Sequence, residues 1–312
     1  MKVFITGATG AVGSCVAREL AEHGHEILAL VRGSASERIV ESLGYTPIRG
    51  DMTEPSPWIT AAARADVLIH AAWTRPGSRM DGDWLRIAMA ADEAAIGGLI
   101  RASQQGDSAL VLTSGHSVFG DHGDTWIDEE TPCSPAVGSM GLKQLATEVA
   151  AKQAAAAGVP TVVLRPCTVY GASSPSMDYF FGSASQHVMQ YPGNGNNYFP
   201  FVHEADVAMA YRLAVEQMPA GEVIALGDDE PMRLREVASL LLDEFGGGQQ
   251  VGAPKWLVAG VAGIPFADIM TASCRVRNTK AKRVLGWKPR YPTLRGGVKN
   301  AIERWRAAGG AA

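Results

Sequence analysis

Residues 2–13 read KVFITGATGAVG and join a short apolar run to a glycine-rich turn. The run predicts a buried strand, and the residues after it predict an amphipathic helix over 11–23. Glycines at this spacing allow a tight turn and a close approach of the backbone to a pyrophosphate, which the N–H groups of the helix N-terminus then bind. The stretch therefore predicts the first strand, turn and helix of a dinucleotide-binding fold.

The rest of the first half repeats this alternation of apolar and amphipathic runs. VLIH at 67–70 and ALVLT at 109–113 are apolar throughout, as in strands that a parallel sheet buries on both faces. Repeated strand–helix units predict an α/β fold with a doubly wound parallel sheet. The predicted strands are 2–6, 26–31, 46–49, 66–71, 108–113 and 160–165. The predicted helices are 11–23, 36–43, 56–64, 81–105 and 140–157.

The pattern changes after residue 165. Residues 171–200 are rich in Gly, Ser, Asn, Pro and aromatic residues, and we predict long loops there that act as a lid or a binding segment. The chain then ends in small helices and turns, after three longer elements: a helix at 204–217, a strand at 222–226 and a helix at 234–244.

The length of the chain and this change of pattern suggest two parts. A chain of 312 residues suffices for one large domain or two modest ones. We predict a dinucleotide-binding domain at 1–170 and a mainly substrate-binding region at 171–312, from which segments such as 201–227 return to the first core.

Composition excludes several classes of protein. Hydrophobic residues make up 46% of the chain, which excludes intrinsic disorder, and its 35 glycines follow no three-residue period, which excludes collagen. The formal net charge is −4 and no basic block is present, so the field that draws a protein to nucleic acid is absent. We predict a partner that is a small molecule and neither nucleic acid nor a membrane.

Cysteine usage and the apolar segments predict a cytoplasmic protein. The first apolar run ends at Gly7, too early for a signal peptide, and the run at 256–270 is too interrupted to span a bilayer. No cysteines form a CxxC pair, so we predict reduced thiols and no metal site. The cysteines are Cys15, Cys133, Cys167 and Cys274.

The end of the second predicted strand bears on the choice of cofactor. NAD binders usually place an acidic residue there, which accepts a hydrogen bond from the ribose 2′-OH. Residues 30–34 read LVRGS, and Arg32 would pair instead with the 2′-phosphate of NADP(H). A solvated surface arginine is the alternative. We predict NADP(H) rather than NAD(H), with Asp51 and Met52 flanking the adenine.

These motifs, and others further along, resemble the extended short-chain dehydrogenase/reductase superfamily over almost the whole chain. The matching segments are TGATGAVG at 6–13, GDM at 50–52, HAA at 70–72, RPCTVYG at 165–171, FVHEADVA at 201–208 and KAKRVLGWKP at 280–289. The resemblance implies a Rossmann doubly wound parallel sheet with a smaller C-terminal α/β substrate-binding region. It also implies a homodimer formed by the helices at 81–105 and 140–157, with a monomer as the alternative.

The resemblance further implies which residues bind the cofactor. Residues after Pro166 would face the nicotinamide, and Lys143 would hold the ribose hydroxyls unless it is an ordinary surface lysine. The implied residues are Gly7, Thr9, Gly10, Ala11, Val12, Gly13, Arg32, Asp51, Met52, Ala71, Ala72, Thr113, Ser114, Lys143, Pro166, Cys167 and Thr168.

The chain departs from the family at the catalytic side chains. The family's acid is a tyrosine four residues before a lysine, whereas Ser139 stands four residues before Lys143. An aliphatic hydroxyl cannot replace a phenol as proton donor, since its pKa lies far above roughly 10. The family's serine or threonine falls at Gly115, with Ser114 and Ser117 beside it. The chain thus resembles the atypical members, which keep the nucleotide site and lose the triad.

Another group must then handle protons if redox chemistry persists. The candidates for catalytic contacts are Lys143, Ser114, His116, Ser139 and Tyr179. His116 is the best titrating group by its location, and a loop histidine without chemistry is the alternative.

The residues beyond 165 also bear on the substrate. No arginine lies between Arg165 and Arg212, so a nucleotide-sugar diphosphate lacks the clamp that many extended members use, although Arg275 and Arg277 keep that possibility open. The methionine and aromatic residues of 171–200 favour an apolar or aromatic carbonyl compound, unless they only pack the lid.

We therefore predict an NADP(H)-dependent oxidoreductase. It would transfer hydride between the nicotinamide and a small, apolar or aromatic carbonyl or alcohol, with a non-standard proton donor. One alternative is an NAD(P)-dependent epimerase, dehydratase, isomerase or lyase that retains its cofactor. Another is a non-catalytic sensor that binds the cofactor.

Overall fold

The computed structural model describes residues 1–74, 77, 79–171 and 174–309, in which short strands alternate with helices. The strands are β1 (Lys2–Thr6), β2 (Glu26–Val31), β3 (Thr46–Arg49), β4 (Val67–His70), β5 (Ala109–Thr113), β6 (Trp126–Ile127), β7 (Thr161–Pro166), β8 (Thr168–Tyr170), β9 (Val188–Pro192), β10 (Tyr198–Phe199), β11 (Phe201–His203), β12 (Val223–Leu226), β13 (Met232–Arg233), β14 (Gln249–Ala253) and β15 (Arg275–Val276). The helices are α1 (Ala11–Glu22), α2 (Ser34–Ser42), α3 (Ile59–Ala62), α4 (Gly82–Gly106), α5 (Met140–Ala156), α6 (Pro175–Ser185), α7 (Glu204–Gln217), α8 (Leu234–Glu244), α9 (Lys255–Ala262), α10 (Ile264–Thr271), α11 (Thr279–Leu285) and α12 (Leu294–Ala307).

A seven-stranded sheet in the order β12-β7-β5-β4-β1-β2-β3 forms the centre of the molecule. Every neighbouring pair in it is parallel. The strand order reverses between β1 and β4, and open sheets of this kind bind ligands in the crevice outside the carboxyl ends of such strands. The predicted α/β fold with a doubly wound parallel sheet is confirmed.

The sheet is covered on both faces because its strands are apolar on both sides. Successive residues of β1 alternate between the two faces. Val3 and Ile5 belong to the core that packs against α1 and α7, whereas Phe4 belongs to the core that packs against α4 and α5. All three side chains are fully buried.

A second apolar core lies in the C-terminal half, and it corrects the prediction for 171–200. That segment was predicted as long loops, but it contains α6, β9 and β10. Its glycines and serines suggested a loop, whereas Met177, Phe180, Phe181 and Ala184 recur at the spacing of one helical face. These four side chains are buried in the second core.

Two smaller predictions also fail. The helix predicted at 56–64 is reduced to the four residues of α3, since Pro55 and Pro57 each remove a backbone donor and restrict the residue before them. The end of the chain was predicted as small helices and turns, but α12 is 14 residues long.

The C-terminal segment returns to the central sheet through Trp287. This buried indole donates a hydrogen bond from Nε1 to the backbone oxygen of Asp206 at 2.9 Å. The Asp206 carboxylate in turn accepts from the backbone N–H of Tyr291 at 3.0 Å. The KAKRVLGWKP segment is thereby joined to α7, which packs against the sheet that includes β12.

Among the helices of the described residues, none is long and apolar enough to cross a bilayer.

Candidate functional site

The glycine turn after β1 presses closely against the segment after β4. Gly7 has a φ of +82°, which L side chains rarely adopt, and a β-carbon on it would lie 2.6 Å from Cα of Ala72. Gly10 precedes α1 without a side-chain cap, and the first turn of α1 carries no acidic residue. The N–H groups of that turn are therefore available to an anion such as a pyrophosphate. The other predicted residues of the turn lie in the same strand–turn–helix unit, namely Thr9, Ala11, Val12 and Gly13.

Arg32 lies at the end of β2 with an exposed side chain. Its side chain is 77% exposed, and the nearest acidic oxygen, Oδ2 of Asp51, is 4.0 Å from Nη1. Asp51 accepts hydrogen bonds from the backbone N–H and the hydroxyl of Thr53 at 2.9 and 2.8 Å. Although burial acts to raise it, these bonds and the charge of Arg32 hold the pKa of Asp51 below its usual value. Met52 follows, half-buried.

The carboxyl ends of β1, β4, β5 and β7 lie along one edge of the sheet, and several predicted cofactor residues follow these ends. Residues Ala71 and Ala72 follow β4, and the Ala71 N–H donates to the Thr6 oxygen at 3.2 Å. The Thr113 hydroxyl is committed elsewhere, because it donates to the His70 oxygen at 2.5 Å and also bonds Tyr211 at 2.6 Å.

At the end of β7 the predicted residues lie further inside the protein. Pro166 and Cys167 are buried, and the Cys167 N–H donates to the Leu226 oxygen at 2.8 Å. Burial raises the pKa of the Cys167 thiol well above its usual value, so it remains protonated. Thr168 is half-buried and pairs with Phe201 in the short sheet of β8 and β11.

Lys143 is buried and held by α4 rather than left free. Its Nζ forms an ion pair with Oδ2 of Asp92, and the lysine and aspartate side chains are 7% and 5% exposed. His70 places Nε2 3.5 Å from the other Asp92 oxygen, and its Nδ1 is 2.8 Å from the Thr6 hydroxyl. Burial opposes the effect, but His70 and Lys143 hold the pKa of Asp92 below its usual value.

The other side of α5 is fixed by Glu148. Its carboxylate accepts two hydrogen bonds from the Arg165 guanidinium, each 2.7 Å long, and a third from the Ser114 hydroxyl at 2.7 Å. Ser114, a predicted catalytic and cofactor residue, therefore uses its hydroxyl within the protein. One turn before Glu148, Gln144 faces Gly115, where the family's catalytic hydroxyl falls.

A cavity of about 90 Å³ lies between the segment after β5, the turn before α5, and helices α9 and α10. His116 and Ser139, both predicted as catalytic candidates, line it together. Ser139 is buried, and in the described part of the chain its Oγ has no hydrogen-bond partner. The remaining lining residues are Ser117, Gly120, Asp121, Ala136, Lys255, Asp268, Ile269, Thr271, Ala272 and Cys274.

His116 does not titrate near neutral pH. Burial lowers the pKa of its imidazole to about 4, against a smaller opposite effect of its hydrogen bond with the Pro166 backbone. The ring is neutral at pH 7. It lies where the sequence predicted a titrating group, but it does not carry the charge that a strong proton donor needs at that pH.

Tyr179 and the aromatic residues around it pack against one another inside the protein. The Tyr179 hydroxyl donates to the Gln190 oxygen, and burial raises its pKa to about 12. The ring lies edge-on to Phe180 and Phe266, at centroid distances of 5.2 and 5.5 Å. The aromatic residues of this region therefore pack the second core and do not by themselves indicate an aromatic substrate. The side chains concerned are Phe180, Phe181, Phe199 and Phe201.

Arg275 and Arg277, which kept a diphosphate substrate possible, lie on the ring of Trp126. Their guanidinium carbons are 4.1 and 5.0 Å from its ring centroid. Arg275 also lies 4.9 Å from the Tyr198 ring. Both cations therefore already have aromatic partners.

Sequence reasoning missed three residues at this site: Asp92, Gln144 and Glu148. Gly141, Gln144 and Glu148 share one face of α5 because they lie three and four residues apart. This spacing was visible in the sequence and would have identified Gln144 as the residue on the Glu148 face. Asp92 stands out only as an acidic residue in an alanine-rich helix.

Comparison with known proteins gives a consistent assignment. The model of the NAD dependent epimerase/dehydratase family matches residues 3–227. A 4-hydroxy-2-methyl-3-oxo-4-farnesyl-3,4-dihydroquinoline-1-oxide ketoreductase of Stigmatella aurantiaca is 28% identical over 263 residues, which cover 81% of this chain and 75% of the relative.

Two solved structures share the fold. MoeE5 in complex with UDP-glucose and NAD is 24% identical, with a TM-score of 0.82 over 99% of both chains. The human epimerase family protein SDR39U1 with NADPH is 20% identical, with a TM-score of 0.81 over 97% of this chain and 99% of that one.

The ion pair of Lys143 gives a stability prediction. Lys143→Met should lower the free energy of unfolding by about 3–5 kcal/mol, because it leaves the Asp92 charge buried without its cation. Adding Asp92→Leu should recover most of this loss, since no buried charge then remains. Urea unfolding measures both effects.

Lys152→Met is the matched control, because Lys152 lies exposed on the same helix. It should change the free energy of unfolding by no more than about 0.5 kcal/mol. A Lys143→Met protein as stable as the Lys152→Met protein would show that the pair contributes nothing.

The His116 pKa gives a prediction for the pH dependence of stability. Between about pH 6.5 and 4 the unfolded chain binds a proton at His116 that the folded protein excludes, so lowering the pH should favour unfolding. The contribution should reach about 3 kcal/mol at pH 4. His116→Asn should remove it, so the variant's unfolding free energy should fall less steeply from pH 7 to pH 4.

His203, whose pKa is also lowered to about 4 by burial, stays in both proteins and cancels in the comparison. Gln104→Asn, at an exposed position without a titrating side chain, is the control and should keep the wild-type slope. Parallel curves for wild type and His116→Asn would contradict the prediction.

Proposed function

Because the chain belongs to the NAD dependent epimerase/dehydratase family, an NAD(P)-dependent enzyme family, we propose that it is an NADP(H)-dependent oxidoreductase. It reduces a small carbonyl compound, or oxidises the corresponding alcohol. Bound nicotinamide supplies or accepts the hydride, and the protein binds, orients and shields the reactants.

The single observation that carries this proposal is the approach of Gly7 to Ala72 at the N-terminus of α1. A β-carbon at Gly7 would lie 2.6 Å from the Ala72 Cα, so the turn and the segment after β4 are in direct backbone contact and together form the floor of a cradle. The uncapped N–H groups of α1 point their partial positive charge into that cradle. Backbone donors of this kind fit the pyrophosphate of a dinucleotide.

The preference for NADP(H) is supported by Arg32. Its guanidinium is largely exposed and is not locked in a close ion pair, so it can form bidentate hydrogen bonds to a 2′-phosphate. Oδ1 of Asp51 accepts two hydrogen bonds from Thr53, while its Oδ2 lies 4.0 Å from that guanidinium. Enzymes that use NAD usually place an acidic residue at the end of the second strand, where it binds the ribose 2′-OH. In this chain the arginine stands at that position.

The substrate is assigned to the cavity beside His116 and Ser139. Ala136, Ile269 and Ala272 suit a small apolar body, and the polar part of the lining, which includes Asp121, Lys255 and Asp268, suits a polar end. Within the described residues, the Ser139 hydroxyl there has no hydrogen-bond partner. Half of the lining residues lie beyond 171, which supports the role of that region in substrate binding. The ketoreductase of Stigmatella aurantiaca, by its name, acts on a carbonyl group.

The proton that completes the reduction comes from water in this proposal. Among the predicted candidates, the hydroxyls of Ser114 and Tyr179 are already donated within the protein, and His116 is neutral at pH 7. The Ser139 hydroxyl, which has no partner among the described residues, can orient a water molecule but cannot itself act as an acid of suitable pKa.

The activity is tested by following NADPH oxidation with a panel of small ketones and aldehydes. We expect carbonyl-dependent loss of NADPH and formation of one alcohol per NADPH. Gly7→Ala should abolish cofactor binding, because its β-carbon would collide with the Ala72 backbone and displace the turn, whereas Gly24→Ala should retain it. Gly24 is the matched control because its φ is also +82° but nothing lies within 4 Å of its β-carbon position. Tight NADPH binding without turnover of any carbonyl would overturn the proposed activity.

Cofactor preference is tested separately with Arg32→Ala. Loss of a charge-assisted contact costs about 1.5–3 kcal/mol, so NADPH should bind about 10- to 100-fold more weakly. NADH binding should change by less than about 3-fold. Arg64→Ala, an exposed residue before β4 at the opposite edge of the sheet, should change neither affinity. An equal loss of affinity for NADPH and NADH would mean that Arg32 does not bind the 2′-phosphate.

A further inference from the structure

Helix α5 presents one polar side chain, Gln144, to the place where the family has its catalytic hydroxyl. The bonds of Glu148 to Arg165 and Ser114 fix this face of the helix against the ends of β5 and β7. Because residues four apart share a helical face, Gln144 lies on the same side, one turn nearer the N-terminus of α5. Lys143, on the adjacent side, is held by Asp92.

The Gln144 amide occupies the space that a side chain at position 115 would need. A β-carbon built on Gly115 would lie 2.2 Å from Nε2 of Gln144 and 2.8 Å from its Cδ. The φ of Gly115 is 174°, an extended conformation open to any residue, so the backbone does not require glycine here. The glycine instead leaves room for the glutamine amide, which occupies the volume of the missing side chain.

The Gln144 amide retains unused hydrogen-bonding capacity. Within the described residues, its buried Oε1 has no hydrogen-bond partner. A buried amide oxygen without a partner is costly, so a ligand or an ordered water is expected to satisfy it. Gly115 follows β5 at the carboxyl edge and immediately precedes His116, which lines the cavity. The amide thus lies beside the residue that joins the carboxyl edge of the sheet to the segment lining the cavity.

We propose that Gln144 binds the reacting carbonyl group of the substrate in place of the missing serine or threonine. The inference rests on the proposed reductase function and assigns a substrate contact within it. The Nε2–H donates to the carbonyl oxygen, and Oε1 holds the water that protonates that oxygen. An amide does not lose a proton near neutral pH, so Gln144 stabilises charge and does not act as an acid.

The electron and proton balance of the step is complete. Hydride from the reduced nicotinamide forms a new C–H bond at the carbonyl carbon, and the C=O π electrons move to the oxygen. The N–H donor stabilises the negative charge as it develops. The oxygen then takes a proton from the water, which leaves an alcohol, hydroxide and the oxidised cofactor. The substrate class is therefore an aldehyde or ketone whose oxygen can enter the space beside Gly115.

The first experiment compares Gln144→Leu with Gln153→Leu, a change at an exposed glutamine of the same helix. Loss of a donor that acts in the transition state costs about 100- to 1,000-fold in kcat. We expect Gln144→Leu to lose about 100-fold in kcat, with the NADPH dissociation constant unchanged. The Gln153→Leu protein should match wild type in both.

The second experiment restores a donor at the neighbouring position. Gln144→Ala vacates the space, and adding Gly115→Ser places a hydroxyl there that can bond the same carbonyl oxygen. We expect the double variant to regain at least about 10-fold in kcat over Gln144→Ala. A residue that only packs the site would not be rescued in this way, so the absence of a gain would overturn the assignment.

The outcomes separate this assignment from the proposed function. If wild type reduces carbonyls and Gln144→Leu keeps its kcat within about 3-fold, only the role of Gln144 is overturned. If wild type binds NADPH but reduces no carbonyl, the proposed function and the assignment of Gln144 are overturned together.

Discussion

The rotation of α5 about its axis is fixed by two buried ion pairs, and the arrangement of the site follows from it. Glu148 is held by Arg165 on one side, and Lys143 is held by Asp92 on the other. A rotation by one residue, about 100°, would bring Lys143 towards Gly115 and remove Gln144 from it. It would also separate both pairs and leave buried charges uncompensated, at a cost of several kilocalories per mole for each.

The cofactor end of the crevice is formed in a different way. Backbone groups dominate there, because Gly7 and Ala72 bring the chain so close that no side chain fits between them. The substrate end depends on side chains, and these are fixed by contacts between distant elements. The glycine turn therefore depends mainly on local backbone geometry, whereas the surroundings of Gln144 require the whole domain to be packed.

This difference explains how much could be predicted from the sequence. The strand–helix alternation and the glycine turn are local patterns, and the structure has the predicted sheet with β1, β2 and β3 at the predicted positions. The contact that the Lys143 side chain makes could not be predicted from its own helix, because its partner Asp92 lies 51 residues earlier. Segment 171–200 was predicted as loops because its composition was given more weight than the helical spacing of Met177, Phe180 and Phe181.

The cavity beside His116 is completed by the last third of the chain. The turns of the cofactor crevice come from residues up to about 166, whereas Lys255, Asp268 and Cys274 close the cavity. Because synthesis proceeds from the N-terminus, the segments proposed to bind the nucleotide leave the ribosome before the last residues that line the cavity are made. The two proposed sites adjoin in the folded protein, but their parts are synthesised at different times.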